Sequence, residues 1–333
     1  MKAVIWTNYG GPEVLQLGEV PKPTPKDNEI LVKIQATTAT AGDCEMRRME
    51  TAIQYRLLMR MYVGFRRPTR LTILGMELAG IVESVGKDVT RFKKGDEVFA
   101  STGFAGSGTY AEYICLPEES EEGKADVAVV ALKPANMSFE EAAPVPMGGV
   151  EALCLLRQAN LQSGQRILIN GSGGTIGSYA VQIAKSMGAE VNAVDSADKM
   201  DMLRSIGADN VIDYTTEDFT KSGEKYDIIF DIVGKASYSG SMRSLKENGI
   251  YISGIIKTSR SIRGRWTSRR SSKKVLFGRV YPNPDDLNFL RKLIEEGKIK
   301  SVIDRSYPLE QAAEAHEYIE TGQKIGNVVI TMV

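Results

Sequence analysis

The sequence predicts an α/β protein made of two unlike regions, and three observations carry that reading. Roughly the first hundred residues are short, alternating or β-rich runs cut by turn residues. From Ser138 onward strands and helices alternate. One apolar strand, Ile167-Leu168-Ile169-Asn170, runs directly into a glycine-rich turn that opens a helix.

In the first region, residues 2–6, 29–35 and 80–85 read as strands. Gly10-Gly11-Pro12, Pro21 to Pro25, Gly86-Lys87 and Lys94-Gly95-Asp96 punctuate them. Residues 96–100 and 108–116 continue the strands. Between Thr51 and Leu71 the period changes: Tyr55, Leu58, Met59 and Tyr62 recur at helical spacing. Ser138-Phe139-Glu140-Glu141 reads as a helix start, with Ser as N-cap and Glu in the first turn. The expected order is then strand 166–170, helix 176–187 ended by Gly188, strand 190–194, helix 199–206, and strands 210–212, 227–233 and 249–253. Such alternation implies βαβ units and a parallel sheet. Helices at 285–296 and 309–321 and a strand at 326–332 close the chain.

At 333 residues the chain is long enough for two domains. Lys plus Arg and Asp plus Glu both number 42, so the overall charge points to no polyanionic partner. Cys44, Cys115 and Cys154 form no CxxC pair, which fits a reducing cytoplasm better than a disulfide framework. The apolar start is too short for a signal peptide, and no run of about 18 apolar residues predicts a membrane span.

Gly171-Ser172-Gly173-Gly174-Thr175-Ile176-Gly177 has the strand–turn–helix context that a dinucleotide needs. Glycines let the backbone approach a pyrophosphate, and the helix N-terminus offers free N–H groups and partial positive charge. Ser172 to Gly177 are therefore candidate cofactor residues. The next strand ends at Asp195, which either bonds an adenosine ribose or caps the following turn. Lys199, four residues on, is placed to pair with a 2′-phosphate, so NADH and NADPH both remain open.

The loop, Leu203-Arg204-Ser205-Ile206-Gly207-Ala208-Asp209 and Val211-Ile212-Asp213-Tyr214 resemble the cofactor domain of the medium-chain dehydrogenases/reductases. Leu74 to Val82, Lys94-Gly95-Asp96-Glu97-Val98 and Gly108 to Tyr113 resemble that family's catalytic-domain signatures, and Gly326 to Ile330 its tail. The resemblance spans nearly the whole chain and is strongest to the zinc-independent quinone oxidoreductases, the zeta-crystallin-like branch. It implies a GroES-like β-rich catalytic domain (1–137 and 284–333) split around an inserted Rossmann domain (138–283), with substrate held over the nicotinamide. It also implies that Lys199 and Tyr214 hold the adenosine phosphate, tipping the cofactor toward NADPH. Val233 and Asn327 are further cofactor-binding positions by resemblance, and a homodimer is the expected assembly, with residues 274–280 as a pairing edge.

By the same resemblance, the catalytic-zinc positions of related alcohol dehydrogenases fall at Thr40, at Met76 and near Met147, none a good zinc ligand. No zinc is expected, and the single histidine, His316, is expected at the surface of a helix. Hydride transfer to a quinone or an α,β-unsaturated carbonyl needs no metal, because the acceptor delocalises the arriving charge. Thr40 is the candidate to hydrogen-bond the acceptor oxygen. Relatives carry Tyr where this chain has Glu45, so Tyr55 or Tyr62 is the candidate proton donor or stacking ring; core packing of their helix is the alternative. Glu151, where relatives carry Thr beside the nicotinamide pocket, reads as a solvated helix residue rather than a buried acid.

Residues 257–279 hold Lys257, Arg260, Arg263, Arg265, Arg269, Arg270, Lys273, Lys274 and Arg279 and no acid. Residues 51–70 add five arginines. A solvated loop and helix face is the favoured reading. Recruitment of an acidic substrate, an anionic membrane or RNA is the alternative, with Trp266 as an interfacial anchor, and so is a movable lid. Three functions follow: a quinone or enone reductase; a nicotinamide-binding redox sensor or RNA-binding protein without catalysis; or a metal-free alcohol dehydrogenase, for which no base is evident.

Overall fold

The computed structural model describes residues 1–50, 53–103, 108–119, 128–254, 258–278, 280 and 283–332, and for 53–55 and 258–260 only the backbone. In chain order, β1 (Lys2–Trp6), β2 (Leu15–Glu19) and β3 (Glu29–Ala39) precede α1 (Ala41–Arg48) and α2 (Ile53–Val63). Then come β4 (Glu77–Val85), β5 (Glu97–Ser101), β6 (Tyr113–Pro117), β7 (Val129–Leu132) and α3 (Phe139–Ala142). After a π turn at Val145–Gly149 follow α4 (Val150–Gln158), β8 (Arg166–Asn170), α5 (Thr175–Ser186), β9 (Glu190–Asp195), α6 (Met200–Ser205) and β10 (Asn210–Asp213). The last elements are β11 (Tyr226–Asp231), α7 (Tyr238–Ser244), β12 (Leu245–Ser253), α8 (Thr258–Arg270), β13 (Lys274–Phe277), α9 (Pro284–Glu295), β14 (Ile303–Pro308), α10 (Ala312–Glu320) and β15 (Asn327–Thr331).

The chain divides into two compact units. One holds Met1–Met147, Pro282–Glu295 and Ser301–Val333; the other holds Gly148–Tyr281 and Glu296–Lys300. Residues 138–147 thus pack with the first unit, ten residues past the expected boundary at Ser138. The reason is local: the Ser138 capping box starts α3, and Ser301 Oγ donates to the Glu141 carbonyl. Such a cap contributes about 1 kcal/mol. Residues 296–300 join the second unit because Gln182 of α5 exchanges two hydrogen bonds of 2.9 Å with the Lys300 backbone.

The first unit is β-rich. Its seven-stranded sheet has the order β14-β15-β3-β4-β5-β7, with β6 also on β3, and β1-β2 form a separate hairpin. Ile30, Val32, Ile34, Leu78, Val82 and Val98 fill one core cluster. A second joins Trp6, Tyr110, Leu74 and the inner face of α10. The expected strand at 108–116 begins only at Tyr113, because Tyr110 N–H is drawn to the Leu74 carbonyl and Ala111 bridges Ala3. The expected helix in 51–71 is α2, which ends where Gly64 takes φ +147°.

The second unit is a parallel sheet, order β10-β9-β8-β11-β12-β13. β8 sits centrally with Ile167, Leu168 and Ile169 fully buried, as a strand covered on both faces requires. The order in which successive strands are laid down reverses between β8 and β11, which makes their carboxyl ends the switch point where open α/β sheets bind ligands.

Candidate functional site

In the second unit, β8 delivers Gly171 to that switch point with φ +95°. A Cβ there would lie 2.4 Å from Val233, so Val233 packs against the turn itself. Gly177 closes the motif from the helix side: a Cβ would sit 2.2 Å from the Gly171 carbonyl. Gly174 differs, since a Cβ would find nothing nearer than 3.8 Å. It is the extended N-cap of α5, and no side chain caps the helix there. The amides at Thr175, Ile176 and Gly177 open a twelve-residue helix at its positive end. Ser172 is buried and directs its hydroxyl inward to the Ile169 carbonyl at 2.7 Å, so it shapes the loop rather than facing a ligand.

The adenosine-side candidates meet beside this loop. Asp195 accepts from Gly173 N–H at 2.7 Å and from Ser196 N–H at 2.9 Å, and pairs with Lys199 at 3.1 Å. It therefore braces the glycine loop and does not cap the next helix. Lys199 runs alongside, its Cδ 2.4 Å from where a Gly173 Cβ would be. Tyr214 bonds the Asp195 carbonyl through its amide and leaves its ring 62% exposed. Gly173, Asp195, Lys199 and Tyr214 thus form one cluster at the carboxyl ends of β9 and β10.

One positioning residue escaped the sequence reading. Asp231, buried at the end of β11, accepts from Asn170 Nδ2 at 2.9 Å, Gly234 N–H at 2.8 Å and Tyr251 OH at 2.6 Å. It locks the ends of three adjacent strands. Its only signal was an acid inside the apolar run 227–233.

Glu151 lies on α4 with Leu155 one turn on. Both approach Gly254 after β12, the carboxylate within 3.7 Å of its Cβ position. Burial lifts its carboxyl from 4.5 to about 7. This corrects the expectation of a solvated residue: the half-buried carboxylate sits against Gly254, just past the end of β12.

In the first unit, Thr40 caps α1 in a reciprocal box with Asp43. It accepts from Asp43 N–H at 3.1 Å and donates to Oδ2 at 2.6 Å. Asp43 also accepts from Gly75 N–H at 3.2 Å, and burial raises its pKa to about 6. Glu77 is buried too, accepting from Thr38 Oγ1 at 2.5 Å and from Met147 N–H at 2.8 Å; burial raises it to about 8. Tyr62 is 40% exposed, so core packing does not describe it; the Tyr55 side chain lies outside the described residues. Asn327 is buried in this unit and donates to the Val302 carbonyl at 2.9 Å, which ties β15 to the end of the preceding segment.

His316 is fully buried, contrary to expectation. The inward face of α10 carries it, and Tyr110 OH at 3.0 Å and Cys44 Sγ at 3.4 Å satisfy the ring nitrogens. Burial lowers its pKa to about 3, so the imidazole is neutral.

Similarity to known proteins extends along the whole chain. Residues 26–122 match the alcohol dehydrogenase GroES-like domain and 206–330 the zinc-binding dehydrogenase domain. The 2-methylene-furan-3-one reductase of Solanum lycopersicum is 33% identical over 99% of this chain and 79% of its own. An NADPH-dependent alkenal/one oxidoreductase of Arabidopsis thaliana is 31% identical with the same coverage. The quinone oxidoreductase structure from Coxiella burnetii superposes with a TM-score of 0.85 at 30% identity, covering 100% of this chain and 99% of that one. The chain belongs to the medium-chain dehydrogenase/reductase superfamily, in its quinone oxidoreductase-like branch. The β-rich unit is its GroES-like part and the parallel sheet its Rossmann part.

The side chains at the superfamily's zinc positions do not make a zinc site, although one matching domain is named for zinc. The Met76 methyl lies 3.8 Å from a Cβ built on Gly42, and Thr40 Oγ1 3.5 Å from it, so two of the superfamily's ligand positions are neighbours. They offer a thioether and a hydroxyl already bonded to Asp43, and the third position offers the Met147 thioether. This donor set does not fit tetrahedral zinc, which takes thiolate, imidazole or carboxylate. Among the described residues no group of three or more His, Cys, Asp and Glu is placed to hold a metal ion.

Proposed function

We propose that this chain reduces a quinone or an α,β-unsaturated carbonyl with NADPH. The observation that carries the reading is the pairing of an open Gly174 at the α5 N-terminus with Lys199 and Tyr214 at the adjoining strand ends. The nicotinamide nucleotide, when bound, supplies the hydride. Gly173 to Gly177 hold its pyrophosphate through backbone amides, with the positive end of α5 behind them. Lys199 meets the 2′-phosphate and the exposed Tyr214 ring covers the adenine side. Asp195 works against this preference, since its carboxylate already engages Lys199. The full-length likeness to alkenal/one and quinone reductases supports the acceptor class.

Thr40 serves the acceptor oxygen. In the structure its hydroxyl donates to Asp43 Oδ2 at 2.6 Å, so Thr40 meets the acceptor only by redirecting that proton. Assembly as a homodimer through the β13 edge completes the proposal.

The test is NADPH oxidation against a panel of quinones and enones. The reading is sustained by turnover with either class and by Thr40→Ala lowering kcat about 10²-fold while NADPH affinity holds. Tight nucleotide binding without turnover on any acceptor refutes it.

A further inference from the structure

The basic segment 257–279 folds in part as α8, and the structure shows what the sequence left open: which side chains its outer face presents. Ile262 and Trp266, four residues apart on one face, are 67% and 60% exposed. Arg263, Arg265, Arg269 and Arg270 stand exposed around them, and no ion pair holds any of the four among the described residues. The Arg270 guanidinium stacks 3.7 Å from the Trp266 ring, and that of Arg263 lies 5.0 Å from Tyr238. Beside α8 runs a groove of about 750 Å³, lined by the apolar surfaces of Tyr238, Met242, Ile262 and Trp266 and by the cations Arg243 and Lys273.

We propose that α8 and this groove bind the protein to an anionic membrane surface, with Ile262 and Trp266 entering the headgroup layer. Charge selects the occupant: this face is cationic while the chain as a whole is neutral. A second copy of the chain does not fit, because a two-fold contact here sets arginine against arginine. The two apolar side chains, too few for a protein interface core, match an interfacial helix whose tryptophan and arginines sit at headgroup depth. Among the described residues no helix is long and apolar enough to cross a bilayer. The inference stands apart from the hydride-transfer reading, because vesicle binding needs no nucleotide.

The test is flotation of the full chain with vesicles of phosphatidylcholine alone and of phosphatidylcholine mixed with phosphatidylglycerol, without nucleotide. The chain carries two tryptophans, and Trp6 is fully buried, so a blue shift of fluorescence on binding reports Trp266. Expected are binding to the anionic vesicles alone, a blue shift, and release by salt. Each arginine neutralised in R263Q, R265Q, R269Q and R270Q weakens binding about fivefold, with folding checked by circular dichroism. Ile262→Ser, which keeps every charge and the reporter, weakens binding and reduces the shift. No flotation at low salt overturns the proposal. So does anionic-vesicle binding without a Trp266 shift, or binding of a single-stranded RNA oligonucleotide while vesicles are ignored.

Discussion

Asp195 sits where two demands on one site conflict. It braces the glycine loop through Gly173 N–H and neutralises Lys199, yet a 2′-phosphate brought there meets its negative charge. Asp195→Asn keeps an oxygen to accept from Gly173 and frees the lysine. Titration should show NADPH affinity rising about tenfold and NADH affinity little changed, whereas Lys199→Ala should weaken NADPH by a similar factor; a charge-assisted hydrogen bond contributes about 1.5–3 kcal/mol. Equal effects on both nucleotides would remove Lys199 from the phosphate. Glu77 makes a pH prediction with a definite sign. Its folded pKa of about 8 exceeds the ordinary 4.5, so the fold favours the protonated form. Its stabilisation is full below pH 4.5 and declines as pH rises toward 8, by at most about 1.4 kcal/mol per unit. Melting temperature should fall over that window in the wild type. Glu77→Gln, able to donate to Thr38 and accept from Met147, should flatten the fall.

Elements show how the loop divides its labour between fold and ligand. Gly177 is crowded by the Gly171 carbonyl and Gly174 is open, so alanine at the two positions should fail differently. Gly177→Ala should lower thermal stability and nucleotide affinity together. Gly174→Ala, at φ −90°, should melt normally and lose nucleotide affinity by tenfold or more, because its methyl occupies space the pyrophosphate needs. Calorimetry with and without NADPH separates the two. These elements were legible in advance because β8 and α5 carry their own periodicity and punctuation. The sequence reading passed over α1 and α4. The Thr40-x-x-Asp43 spacing is itself the capping-box signal for α1. In α4, Val150, Ala152, Leu153, Leu155 and Leu156 are buried on more than one side, so no amphipathic period marked it.

At the scale of the molecule, two units are built around different sheets, and the parallel one ends at β13, in the segment expected to pair. Sedimentation equilibrium should give a dimer mass; a monomer at micromolar concentration would remove β13 from the assembly. The alternation of strands and helices, the glycine loop and the lack of good zinc donors at Thr40, Met76 and Met147 were all written in the chain, because each depends on near neighbours or on residue type alone. Tertiary packing decided the rest. His316 became a buried neutral base only because Cys44 and Tyr110, both more than 200 residues away, supply its partners. Asp195 became a loop brace, and the Glu151 carboxyl is pushed up by burial, by the same route. Hydrogen-bond partners and the loss of water set the behaviour of a polar side chain, and both are properties of the folded neighbourhood.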